Sequence, residues 1–203
     1  MSTRTLKTLA VVGLIVGIAG CGGTSDSAAL DRWSAQVEGV YRIDAWTRNQ
    51  AACDAEGASI LNGAGDYMAV FSASDVFGDS IQAVECAHPA DCHADVAAAR
   101  AQLPWSSTFS YRFQTAGDTT LKGVQVSTGY ADSVSGTCSN AFMTNLVLTR
   151  PADGQVQVEG RTVTVDHPAD AAGVCWTSDT QKAAAGKPCN QLEVVKATRI
   201  EAL

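Results

Sequence analysis

The sequence predicts a mainly β protein, an antiparallel up-and-down barrel or meander of about eight strands with two short helices in its loops. Two observations carry this. Residues 108–115 alternate strictly, with Phe109, Tyr111 and Phe113 on one face and Ser110, Arg112 and Gln114 on the other, as a strand with one buried face does. The connections between such stretches also sort by length. If the strands run up and down in order, one end receives only 74–79, 116–119 and 151–154, which carry the Gly and Asp of tight turns. The other end receives 49–66, 87–107, 129–141 and 167–191, all long.

The first strand is expected over 37–48, with Val37, Gly39, Tyr41, Ile43 and Ala45 facing one way and Glu38, Arg42, Asp44 and Arg48 the other. Further strands are expected at 67–73, 80–86, 108–115, 121–128, 142–149, 155–166 and 192–200. They are rich in Val, Phe, Thr and Ile and bounded by Gly, Asp, Asn and Pro. Within 155–166 the apolar parity shifts between Val156/Val158 and Val163/Val165, around Gly160. This reads as a bulge at Gly160, with a two-residue hairpin as the alternative. One helix is expected from an Asp91 cap through Val96 and Leu103 to Pro104. A second begins at Ser178, with Gln181 three residues on, and stops at Gly186 and Pro188.

The N-terminus carries an address. Arg4 and Lys7 precede an apolar run, Leu9 to Ile18, and then Ala19-Gly20-Cys21. The run is too short to span a membrane, which takes roughly 20 apolar residues. Ile18-Ala19-Gly20-Cys21 resembles the lipobox of bacterial lipoproteins. The resemblance implies a signal peptide over 1–20, cleavage before Cys21 and lipidation of that residue. With Gly rather than Asp at position 22, it also implies an outer-membrane lipoprotein of the bacterial cell envelope. An ordinary secretory signal with Cys21 as a bystander is the alternative. Residues 21–32 then read as the lipidated Cys and a small, polar tether, and 33–203 as one domain.

The net charge is −7, and loss of Arg4 and Lys7 with the leader makes it −9. Such a domain is repelled by nucleic acid and by bare anionic lipid, so attachment falls to the lipid. Beyond Cys21 six cysteines remain, an even number suited to disulfides in an oxidising compartment. All lie in or beside the long connections. Proximity in sequence favours Cys86–Cys92, Cys175–Cys189 and Cys53–Cys138. The competing set keeps the first but joins Cys53 to Cys189 and Cys138 to Cys175, because neighbouring antiparallel strands bring those ends together.

Candidate chemistry is sparse. Cys86-Ala-His88-Pro-Ala-Asp-Cys92-His93-Ala-Asp95 gathers potential metal ligands, but oxidised cysteines do not ligate and the spacing fits no zinc motif. It reads as a disulfide loop before a helix, with no metal and no cofactor. His167, near Asp166 and Asp170, and Ser133 and Ser135 supply the types of a hydrolytic triad without its motif. Asp54 and Glu56 read as solvated loop carboxylates. Trp105 and Trp176 fall at the long-loop end, where they either grip a ligand or cap the core.

Gly39-x-Tyr41 on the first strand and the antiparallel run resemble lipocalins. That family shows Gly-x-Trp there, with an Arg of the last strand packed over the Trp. Here Tyr41 replaces the Trp and Arg199 stands for the Arg; the long helix after the barrel has no counterpart. The resemblance implies a cup for a small apolar ligand, with Tyr41, Phe109, Tyr111 and Phe113 inside. The expectation is therefore a membrane-anchored, non-catalytic lipoprotein binding a small apolar ligand at the loop-rich end. An envelope protein with a solid core that contacts another protein is the alternative, and an unrecognised hydrolase is the third.

Overall fold

The computed structural model describes residues 27–61, 66–75, 77–101, 110–132 and 134–203. Cys21, the leader, Trp105, Phe109 and Ser133 lie outside them. The elements are α1 (Ser27–Val37), β1 (Gly39–Asn49), β2 (Ala58–Ser59), β3 (Tyr67–Asp75), β4 (Gly78–Cys86), α2 (Pro89–Arg100) and β5 (Ser110–Phe113). There follow β6 (Thr115–Ala116), β7 (Thr120–Ser127), β8 (Tyr130–Asp132), β9 (Thr137–Thr149), β10 (Gln155–Pro168), α3 (Thr177–Ala184) and β11 (Gln191–Glu201).

The strands form one antiparallel sheet in the order β5-β4-β3-β1-β11-β10-β9-β7-β6, with β2 beside β1 and β8 beside β9. This is the expected up-and-down order, joined through its first and last long strands and nearly closed into a barrel. It has more strands than expected, because β2 and β8 are added and 110–116 divides into β5 and β6. The two halves of that segment serve different neighbours: Phe113 pairs with Ile81 of β4, and Ala116 with Leu121 of β7. Gln114 N donates to Lys122 O at 2.9 Å. Gly123 permits this approach, since a Cβ there would stand 1.9 Å from Arg112 O.

The expected bulge at Gly160 is corrected. Gly160 pairs in register with Leu146 and with Glu193, and the irregularity comes later, between Val165 and His167. One unbroken β10 also excludes the hairpin. On β1 the expected alternation fails after Ile43, where the register with β11 slips between Ile43 and Ala45. The slip turns Trp46 and Arg48 inward, whereas strict alternation had placed Arg48 outside.

The expected tether is overturned in part. Residues from Ser27 form α1, which presents Leu30, Trp33 and Val37 to the barrel interior. The spacing i, i+3, i+7 puts all three on one face. The helix lies across the tight-turn end. Trp33 Nε1 donates to Gly117 O in the β6–β7 turn at 2.8 Å. Arg150, from the β9–β10 turn, bonds Gln36.

The last carbonyls of α1 would otherwise lack partners. Tyr41 Oη donates to Val37 O at 2.6 Å, and Arg199 Nη2 to Gln36 O at 2.5 Å. Arg199 lies over the Tyr41 ring, 5.6 Å from its centroid, so the Gly-x-Tyr and Arg contact expected from the sequence is present. Gly39 makes room for it, as a Cβ would meet Glu201 O at 2.9 Å and Arg199 Nε at 3.0 Å. A cation at a helix C-terminus also complements the helix dipole.

The interior is filled by Tyr41, Met68, Val70, Ile81, Phe113, Leu121, Leu146, Leu148, Val156, Val158 and Val195. A second apolar cluster lies outside the sheet, where α2 sets Val96 and Cys92 against Val40, Ala69, Phe71 and Val84. The cap of α2 is His88 with Pro89 at its first turn, and Asp91 sits inside that turn instead of capping it. Similarly Trp176, two residues before Ser178, precedes α3. In neither helix does the N-cap side chain bond the first turn, so tertiary packing sets the start.

Cys86–Cys92 forms as expected. The other two expected bridges are corrected: Cys53 joins Cys189, and Cys138 joins Cys175. Sheet register is the cause. Asn49 of β1 faces Leu192 of β11, which leaves Cys53 and Cys189 just beyond adjacent strand ends. Cys138 faces His167 of β10, so the chain leaving β10 brings Cys175 alongside.

Candidate functional site

The inner faces of β9, β10 and β11 change character at one level. Toward the tight end they carry Leu146 and Leu148, Val156 and Val158, Val195 and Ala197. Toward the long-loop end, alternate positions carry Phe142 and Thr144, Thr162 and Thr164, Gln191 and Glu193. Those residues, with Tyr111, Gln125 and Gly160, line a cavity of about 270 Å³ at the barrel mouth.

Its polar groups are organised. Arg48 Nε donates to Glu193 Oε2 at 2.6 Å, across directly paired positions of β1 and β11. Tyr111 Oη donates to the other carboxylate oxygen, Oε1. Burial and the adjacent Glu193 carboxylate push the Tyr111 phenol well above its ordinary range, so it stays a donor. Thr144 and Thr162 share a buried hydroxyl–hydroxyl bond of 2.8 Å between β9 and β10. Glu85, on the same inward parity of β4 as Ile81 and Ala83, has a buried Oε2 with no hydrogen-bond partner among the described residues. Burial, and then the charge of Asp66, hold its carboxyl above the usual range.

Of the four expected ligand-binding residues that are described, Tyr111 alone lines this cavity. Tyr41 and Phe113 are inside the barrel, but packed into its filled part. Trp176 is on the surface, where its Nε1 donates to Asp170 Oδ2 at 2.8 Å. Trp105 and Phe109 lie outside the described residues. Arg48 and Glu193 were missed, Arg48 because the β1 slip reversed its face. The signal for Glu193 was a carboxylate on a strand opposite an arginine, which acquires meaning only with register.

His167 is buried, with Nε2 3.0 Å from Thr180 Oγ1 and Nδ1 2.9 Å from Pro168 O. It ties β10 to α3. Ser135 Oγ donates to Asp132, and Asp132 Oδ1 also accepts from Val134 N; these bonds hold a turn. His93 pairs with Glu201 at 3.0 Å. Glu56 pairs with Lys196 at 2.6 Å. Among the described residues no three His, Cys, Asp or Glu side chains come together as a metal site, and no helix is long and apolar enough to cross a membrane.

A surface feature accompanies the mouth. Tyr130, Val134, Val174 and Trp176 are exposed around the Cys138–Cys175 bridge. No family model, no curated protein and no solved structure matches this chain.

Proposed function

We propose that the protein is a lipid-anchored, non-catalytic component of a bacterial cell envelope that binds a small ligand at the cysteine-stapled mouth of its barrel. The observation that carries this is where space remains. Large side chains occupy the barrel from the α1 end upward, and the cavity opens at the end bearing the long, disulfide-tied connections. The expected apolar ligand is thereby narrowed, because the barrel's own side chains take up the deep apolar interior.

The anchor and the mouth belong to opposite ends. α1 begins at Ser27 and touches the tight turns. A lipid on Cys21, a few residues ahead, would hold the tight end toward the membrane and present the mouth away from it. Membrane fractionation tests the anchor: wild type should partition into detergent and carry an acyl mass on Cys21, and Cys21→Ser should be released. Native mass spectrometry of the gently purified protein tests the binder, with a discrete, removable mass expected. Recovery of the bare chain in every preparation counts against it.

The exposed apolar group at Tyr130, Val134, Val174 and Trp176 favours a second reading, in which the loops dock on another envelope protein. Crosslinking from position 134 tests it; a specific adduct supports protein contact, and its absence leaves the cavity as the working part.

A further inference from the structure

We infer that the mouth cavity takes a small, neutral, polyhydroxylated ligand of monosaccharide type; this rests on the reading of the mouth as the binding site. Ordinary small-molecule pockets are mostly apolar with a few polar groups. Here seven of the nine lining residues carry a hydrogen-bonding side chain, although carbon atoms still supply most of the exposed wall, a mixture that suits a ring with both hydroxyl and C–H faces. Gln125, Gln191, Thr144, Thr162 and Thr164 line the cavity, and every one of these side chains both donates and accepts hydrogen bonds. A sugar hydroxyl has the same dual character, whereas a fatty chain would take water from Gln125, Gln191 and Thr164 without replacing its hydrogen bonds, at a cost.

Charge points the same way. Among the described residues the one ionised side chain in the lining, Glu193, is already matched by Arg48. The lining residues themselves therefore offer no unbalanced charge for a phosphate or an ammonium ion, Glu85 standing outside the lining behind Tyr111, while Glu193 retains acceptor capacity beyond its bonds to Arg48 and Tyr111. Phe142 provides an apolar wall suited to the C–H face of a pyranose ring. A cavity of about 270 Å³ also falls just below the roughly 300–1,000 Å³ of drug-sized pockets, so it suits one ring.

Gly160 keeps the space open. It occupies the inward position between Val158 and Thr162 on β10, and its φ is not positive, so backbone conformation does not call for glycine. A Cβ there would lie 3.3 Å from Thr144 Cγ2 and 3.4 Å from Leu146 Cδ2. Any larger side chain is forced up into the cavity.

The test is calorimetric titration of the full chain in detergent with D-glucose, D-mannose, N-acetylglucosamine and, separately, decanoate. At least one sugar should bind saturably, with binding about tenfold weaker or worse in Gly160→Val and in the near-isosteric Thr162→Val, and unchanged in the exposed Val124→Ser. Thr162→Val keeps the volume, so it decides the matter if Gly160→Val fails to fold. Sugar binding that neither variant weakens overturns the inference. Decanoate binding lost in Gly160→Val, with no sugar bound, overturns the ligand class but leaves the mouth as the site. No saturable binding by any probe overturns both.

Discussion

The two ends of this barrel are built by different means. The tight end is closed noncovalently: α1 inserts Leu30, Trp33 and Val37, and Tyr41 and Arg199 cap its last carbonyls. Among the described residues the mouth end has no such plug. Its long connections are tied by Cys53–Cys189, Cys86–Cys92 and Cys138–Cys175, and its cavity is lined mostly by residues with hydrogen-bonding side chains. Packing an end with apolar side chains removes the space a ligand would need. Tying loops covalently from outside stabilises an end while leaving its interior open.

The largest effect should come from the staples. In the loop-entropy account, a bridge stabilises more as its loop lengthens. Cys53–Cys189 spans 136 residues and Cys86–Cys92 only 6. Replacing the first pair by Ser should cost up to about 5 kcal/mol and the second about 2 kcal/mol, read from urea denaturation. Equal losses would mean that the long bridge joins ends already held by the β1–β11 pairing.

Next, Trp33→Ala should cost about 3–5 kcal/mol, as for a large aromatic removed from a core. It should leave mouth binding intact where the protein stays folded. Loss of sugar binding at constant fold would show that the two ends are coupled.

Arg199→Met should cost about 1–3 kcal/mol, because it removes charged hydrogen bonds to Gln36 O and Tyr41. Arg199→Lys should restore only part, since an ammonium lacks the planar fork that reaches both acceptors. Amide exchange should then quicken first in α1, and uniform quickening would deny the cap its local role.

The smallest effect concerns Glu85. Its folded-state pKa is raised, chiefly by burial. The native state therefore holds the proton more tightly than the unfolded chain, and its stability advantage is full below the ordinary glutamate range and lost as pH rises through the raised value. Glu85→Gln should match wild type in acid and melt slightly higher at neutral pH. A variant less stable at neutral pH would show that the ionised carboxylate has a stabilising partner.

Much of the frame was legible in order. Alternation in 110–113, turn residues at 75–78, 117–119 and 151–154, and the sorting of long connections all report local backbone preferences, which need no partner to be expressed. The contact of Arg199 with Tyr41 was expected only by analogy, not from local periodicity. α1 went unread: the small polar residues before it suggested a tether, and Val37 was counted with the first strand. The site was not legible either. Arg48 faces Glu193 because of one register slip, and Gly160 shapes the cavity because Thr144 and Leu146 stand opposite it.

The chain's own residues thus determined an even set of six cysteines beyond Cys21, the strand order and which end carries the long connections, since each follows from composition or local periodicity. Tertiary structure alone decided the partners of Cys53 and Cys138, the plug at the tight end and the polar mouth. Those depend on register between strands distant in sequence, and a shift of one residue reverses every face.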